Sequence, residues 1–179
     1  MPIQQIGDLP MKLAALIKKI SDIIDKGAIF VAVILLAAMT VVTFLQIIFR
    51  VFFSALVWSE EASRYLMIWL TFIGASCVHK RAGHIAITFI QDLLPEKPKK
   101  LLQLLVHLLT LFAFGVVVHF GITYINLVGN QLSAAMRIPM RYMYIAMPLG
   151  AGLMMLHTID HLANLFLPTD QTKERGLPH

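Results

Sequence analysis

Three charged side chains, Glu60, Glu61 and Arg64, fall within five residues in the block Trp58-Ser59-Glu60-Glu61-Ala62-Ser63-Arg64. On a helix starting near Ser59, Glu60 and Arg64 form an i, i+4 pair and Glu61 and Arg64 an i, i+3 pair, so one guanidinium can neutralise either carboxylate. Carboxylates in a first turn also suit the positive end of the helix dipole. One arginine cannot fully match two carboxylates, so a second reading stays open in which one of them binds a partner. Trp58 places the block at a membrane surface, because an indole prefers the headgroup level. A second polar group, Met136-Arg137-Ile138-Pro139-Met140-Arg141-Tyr142, reads as an ordered turn with two cations and large apolar side chains. It suits docking of a protein, or contact with lipid phosphate and the nearby glutamates. Gln46 and Arg50, one helical turn apart, are placed to join that network.

His157 and His161 lie four residues apart with Asp160 between them, a spacing superficially like a metal-binding helix face. The glutamate that a zinc protease carries beside its first histidine is missing. The expected role is capping near the end of a helix, where histidine suits the dipole. His107 and His119 are expected inside a helix bundle, as packing or interhelical hydrogen-bonding groups, with a proton relay as the alternative. No nucleophile, base and orienting group assemble from these residues, so the reading is a protein without catalytic activity, cofactor or metal.

These groups sit in a chain whose solvent is lipid. Of 179 residues, 58% are hydrophobic and 14% charged, and the mean hydropathy is +0.76, a composition unlike that of soluble domains. The single cysteine, Cys77, lies in an apolar run, which excludes a disulfide framework and points to packing. The net charge of +5 is spread between apolar segments without an aromatic-interleaved stripe, so nucleic acid is not expected as a partner.

The fold class expected is an all-α membrane protein with four transmembrane helices and additional interfacial amphipathic helices. A hydrocarbon core of about 30 Å needs roughly 20 apolar residues, and four stretches qualify, at about 27–49, 61–78, 101–128 and 142–166. The first exceeds the apolar length of a signal peptide and lacks a convincing cleavage site, so it reads as an uncleaved anchor. Residues 1–26 form an N-terminal arm in which Leu13, Ile17, Ile20 and Ile24 recur at helical spacing opposite Lys12, Lys18, Lys19, Asp22 and Asp25, as in an interfacial helix. Residues 84–94 read as a second, horizontal helix ending at Pro95, and 167–179 as a tail. Lys and Arg number eleven in the arm, second loop and tail against four at Arg50, Arg64, Arg137 and Arg141. The bias places both termini in the cytoplasm. None of the four stretches has an acidic residue at its centre, where a secondary transporter would bind ions. Gly74, Ala75 and Ser76 are instead expected to permit close helix approach.

Phe49-Arg50, the Trp58 to Arg64 block, the run through Trp69 and Phe72-Ile73-Gly74-Ala75, and Lys80-Arg81-Ala82-Gly83-His84-Ile85 together resemble the small membrane subunit of tripartite ATP-independent periplasmic (TRAP) transporters. Pro139 and Pro148-Leu149-Gly150 also match, so the resemblance to these DctQ-like Q subunits covers about residues 25–165; Thr88 departs from it, standing where many relatives carry aspartate. The resemblance implies a bacterial inner-membrane system in which a periplasmic binding protein delivers an organic acid, such as sialic acid or a C4-dicarboxylate, to a large sodium-coupled elevator-type subunit. This chain would be its static companion. Trp58, Glu60, Glu61 and Arg64 would lie at the periplasmic side, near docking or scaffold contacts shared with Arg137 and Arg141. Lys80, Arg81 and His84 would lie at the cytoplasmic boundary. The competing class is a self-contained homo-oligomeric channel or small exporter lined by Gln46, His107 or His119.

Overall fold

A backbone in hydrocarbon must satisfy its own hydrogen bonds, and helices do so within one segment. The computed structural model of this chain describes residues 3–82 and 95–166, with side chains from residue 14 onward except at positions 82, 96, 97 and 166. The described residues are helical apart from short connections: α1 (Ile3–Phe52), α2 (Val57–Ala82), α3 (Glu96–Val128), the single turn α4 (Arg141–Tyr144) and α5 (Ala146–Phe166). Three segments are long and apolar enough to cross a membrane, Ala14–Phe52, Pro98–Val128 and Arg141–Leu165. At 26 residues α2 is also long enough, at about 1.5 Å per residue, but Glu60, Glu61 and Arg64 at one end and Lys80 and Arg81 at the other shorten its apolar part.

The order of packing follows from that difference in polarity. α1 packs along α2, α2 against α5, and α5 against α3, with a smaller contact between α1 and α5. The helix least able to face lipid thus lies between neighbours, and the most apolar ones flank the bundle. Within their most apolar stretches only 6% of α1 and none of α3 is buried, against 28% of the Arg141–Leu165 segment. Large side chains such as Phe30, Phe44, Phe112 and Phe120 are exposed, whereas the buried apolar residues are mostly small: Ala14, Ala28, Ala146 and Ala151 beside Ile73 and Cys77. This is the distribution expected where lipid, not water, surrounds the protein and small residues let helices approach.

Several sequence expectations take a different form in the structure. The arm and the first apolar stretch are one uninterrupted helix, 50 residues or about 75 Å long. The arm turns Ala14, Ser21 and Ala28 onto the bundle, at seven-residue spacing, and leaves Leu16, Ile20 and Ile23 exposed. The 142–166 stretch is interrupted at Ile145, between α4 and α5. Pro148, which has no N–H, denies Tyr144 its i+4 donor and accounts for the break. The horizontal helix expected at 84–94, His84 and the tail 167–179 lie outside the described residues.

The expected close approach at Gly74 and Ala75 is also corrected. Gly74 has nothing within 4 Å of where a Cβ would sit, and Ala75 is exposed, although Ser76 is fully buried. The tight crossing of α2 and α5 is at Gly150, where an added Cβ would stand 2.7 Å from Phe72 Cβ and 3.1 Å from the Phe72 carbonyl oxygen. At Gly121 the same test meets Pro148 Cδ at 3.2 Å, marking the crossing of α3 and α5. Gly150→Ala is therefore expected to destabilise the purified chain by about 1–3 kcal/mol, as overpacking does, and Gly74→Ala by less than about 0.5 kcal/mol. Thermal unfolding in detergent reads both; equal losses would place the crossing elsewhere.

Candidate functional site

Polar side chains collect at the two ends of the bundle. At one end are the α1–α2 turn, the first turns of α2 and the loop between α3 and α4. Ser59 is fully buried there, and its hydroxyl donates to the Leu56 carbonyl at 2.7 Å, closing the start of α2. The loop folds back on itself. Leu132 and Pro139 form an isolated antiparallel bridge, the Ser133 N–H donates to Ile138 O at 2.9 Å, and the Met140 N–H donates to Gln131 O at 2.9 Å. The buried Ser133 hydroxyl accepts from the Ile138 N–H at 3.2 Å.

Glu61 joins α2 to this loop. Its Oε2 accepts from the N–H groups of Ala135 and Met136 at 2.7 and 3.0 Å, and its Oε1 accepts from the Tyr65 hydroxyl at 2.6 Å. Trp69, two turns further along α2, donates its indole N–H to the Tyr142 carbonyl at 2.9 Å. Arg141 secures the other limb through Gly129 O and Asn130 Oδ1. Arg137, immediately after the two captured N–H groups, has a φ of 57°. That left-handed conformation costs a side-chain-bearing residue about 1–2 kcal/mol, so the contacts on both sides must hold it.

The structure thus separates groups that the sequence placed together. Glu60–Arg64 and Glu61–Arg64 are not among the ion pairs between described residues, which include Lys80–Asp22 and Arg81–Asp25. Two adjacent loop N–H groups take the Glu61 carboxylate instead, and Arg64 is exposed. Glu60 and Arg137 are exposed as well, and Trp58 is 43% exposed. Among the described residues no hydrogen bond or ion pair ties Gln46 or Arg50 to them.

The other end is held by side chains from α1, α2 and α5. Ser21 Oγ lies 2.9 Å from His157 Nδ1, and His79 Nε2 lies 2.8 Å from Thr158 Oγ1, whose hydroxyl also donates to Met154 O. Lys80 Nζ reaches Asp22 at 2.6 Å and Arg81 reaches Asp25 at 3.4 Å. His157 and Ser21 are 0% exposed and Thr158 1%. The expected capping role of His157 and His161 is therefore corrected: both are buried and turned to neighbouring helices. The rings of His79 and His107 lie 6.2 and 6.1 Å from that of His161. Among the described residues no group of three or more His, Cys, Asp or Glu is arranged to hold a metal. His107 points Nδ1 at Gln103 O on its own helix, and His119 is exposed.

A hydrogen-bonded serine and histidine superficially suggest nucleophilic chemistry. With both fully buried between helices, no substrate reaches them, and the pair acts as an interhelical fastening. Sequence reasoning missed this network because Asp22 and Asp25 read as the solvated face of an amphipathic arm. The only signal was their i, i+3 spacing opposite two adjacent cations, Lys80 and Arg81. Ser21→Ala should cost roughly 0.6–2 kcal/mol, the range for interhelical hydrogen bonds in membranes. Detergent unfolding of the purified chain measures the loss; an unchanged midpoint would show that His157 does not depend on Ser21.

The profile of the family described as "Tripartite ATP-independent periplasmic transporters, DctQ component" matches residues 39–167. The chain is 33% identical over 137 residues to the sialic acid TRAP transporter permease protein SiaT of Haemophilus influenzae (strain 86-028NP), covering 75% of this chain and 21% of the relative. It is 28% identical over 108 residues to the sialic acid TRAP transporter small permease protein SiaQ of Vibrio cholerae, covering 60% and 62%. Identity is also 28% over 87 residues to the C4-dicarboxylate TRAP transporter small permease protein DctQ of the same species, covering 48% and 38%. The chain thus spans about a fifth of the first relative's length and less than two thirds of the other two. The family profile spans residues 39–167, well over half of the chain, and this protein is a member of the DctQ family, the small-subunit component of TRAP transporters.

Proposed function

We propose that this chain is the non-conducting scaffold subunit of a sodium-coupled TRAP transporter that imports an organic acid across the bacterial inner membrane. Relatives named for sialic acid, C4-dicarboxylates and isethionate, a sulfonate, support an organic acid as the substrate class. In this reading α2 is the fourth span, lined on both sides by protein. The N-terminal arm, continuous with the first span, carries that helix to the cytoplasmic side, and both termini are cytoplasmic. The end bearing the α3–α4 loop faces the periplasm, where the exposed Trp58, Glu60, Arg64, Arg137 and Arg141 are available to the periplasmic binding protein and Glu61 serves as a scaffold contact beneath them. Lys80, Arg81 and His84 mark the cytoplasmic boundary.

One observation carries the scaffold role. Both ends of the central helix α2 are fastened by polar contacts to the helices or loops beside it, through Glu61 and Trp69 at one end and His79, Lys80 and Arg81 at the other. Such a block resists sliding of one helix past another, as a fixed support for a moving partner requires. The exposed apolar flanks of α1 and α3 offer surface to the large subunit and to lipid. Two relatives are far longer than the segment aligned with this chain, SiaT and the isethionate TRAP transporter permease protein DctMQ of Oleidesulfovibrio alaskensis, of which it covers 21% and 18%. That is as expected where small and large subunits are fused.

Reconstitution tests the reading. Proteoliposomes with the large subunit, this chain and the binding protein should take up the organic acid in response to a sodium gradient, and omission of this chain should lower the rate at least 10-fold. Uptake at the full rate by the large subunit alone would refute the scaffold role. Flux through liposomes holding this chain alone would favour a channel.

A further inference from the structure

Counting charge by what faces outward changes the character of the periplasmic end. The sequence pairs two carboxylates with its arginines, but Glu61 is committed internally to the Ala135 and Met136 N–H groups and the Tyr65 hydroxyl. Of the acidic residues in the Trp58–Arg64 block, Glu60 is the one left exposed, alongside Arg64 and Arg137, with Arg50 and Arg141 also exposed at this end. The outward surface is therefore positive. Its most prominent cation, Arg137, stands at the turn of the loop in a left-handed conformation. That turn is closed by Ser133 and Ile138 from within the loop and by Glu61 from α2.

We infer that Glu61 is a positioning residue: its carboxylate clamps the 133–138 turn so that Arg137 is presented to an acidic patch on the periplasmic binding protein. The inference rests on the docking role proposed above and deepens it by assigning the sign of the partner's surface and the group that sets the loop. Losing the carboxylate leaves the Ala135 and Met136 N–H groups without their acceptor. The turn then relaxes away from the left-handed geometry at Arg137, and the cation is presented over many orientations rather than one. A glutamine would keep the clamp, because its carbonyl oxygen can accept both N–H groups while its amide donates to the Tyr65 oxygen.

The test titrates the binding protein against the complex of this chain with the large subunit in nanodiscs, at several salt concentrations. Arg137→Glu should weaken docking at least 10-fold and flatten its salt dependence, as loss of a steering charge does. Glu61→Ala should weaken docking about 5–10-fold, and Glu61→Gln should restore it to within about 2-fold of the unaltered complex. If Glu61→Ala does not assemble with the large subunit, Ser133→Ala, which removes the acceptor of the Ile138 N–H, replaces it with the same expected loss. Weakened docking in Arg137→Glu with full affinity in Glu61→Ala or its substitute overturns the positioning role alone. Full affinity in Arg137→Glu overturns the docking reading and this inference with it, and loss of bound phosphatidylglycerol in that variant would then assign the arginine to lipid phosphate.

Discussion

A polar side chain withdrawn from water must find its partner inside the protein, and among the described residues α2 makes more polar contacts to other segments than any other helix. Glu61, Trp69, His79, Lys80 and Arg81 each meet a group on another segment, from the α3–α4 loop at one end to α1 and α5 at the other. This requirement fixes the rest of the arrangement. α2 has to lie between neighbours, so α1 and α5 take its two sides and α3 is left to pack on α5. The flanking helices can then be apolar over nearly their whole surface. Buried polar residues here include Ser21, Ser59, Ser76, His157 and Thr158, while phenylalanines point outward, the reverse of what water would select.

The polar contacts do more than tolerate burial. Apolar helices in lipid slide past one another with little penalty, since one leucine contact replaces another, whereas a hydrogen bond between fixed positions defines a register. Ser21 with His157 and Asp22 with Lys80 tie the long first helix to two different partners within one turn of its length. At the opposite end one carboxylate holds a loop that would otherwise expose two backbone donors. Gly150 lets α5 sit against Phe72 between these fastenings. A small subunit constructed in this way transmits force as a block, which is what an immobile support in a transporter needs.

The helical membrane class, the family and the position of the polar block were legible in the sequence, because apolar length and motif spacing are local properties. The partners of the polar residues were not. Glu61 was expected to use Arg64 one turn away or to remain available, since helical spacing makes those pairs visible; besides Tyr65, one turn away, its partners are 74 and 75 positions distant in the chain. Asp22 and Asp25 matched the polar side of an amphipathic helix and were read as solvated, though Lys80 and Arg81 claim them across 58 and 56 positions. Gly74 looked like a contact residue by composition, yet the close approach is at Gly150, because which side of α2 faces α5 is decided by where the polar groups must go. His157 and His161 similarly looked like a helix end and proved to be interior.

Rigidity of the block is the central claim, and distances between spin labels in the working complex test it most directly. With Cys77→Ser as background, one label pair at Met67 and Leu132 reports the loop end, and a second at Val78 and Ile159 reports the opposite end; all four positions are exposed. The account predicts a single narrow distance for each pair, unchanged when sodium, organic acid and binding protein are added. A distribution that splits, or shifts by several ångströms during transport, would show that these helices move with the cargo and would contradict it.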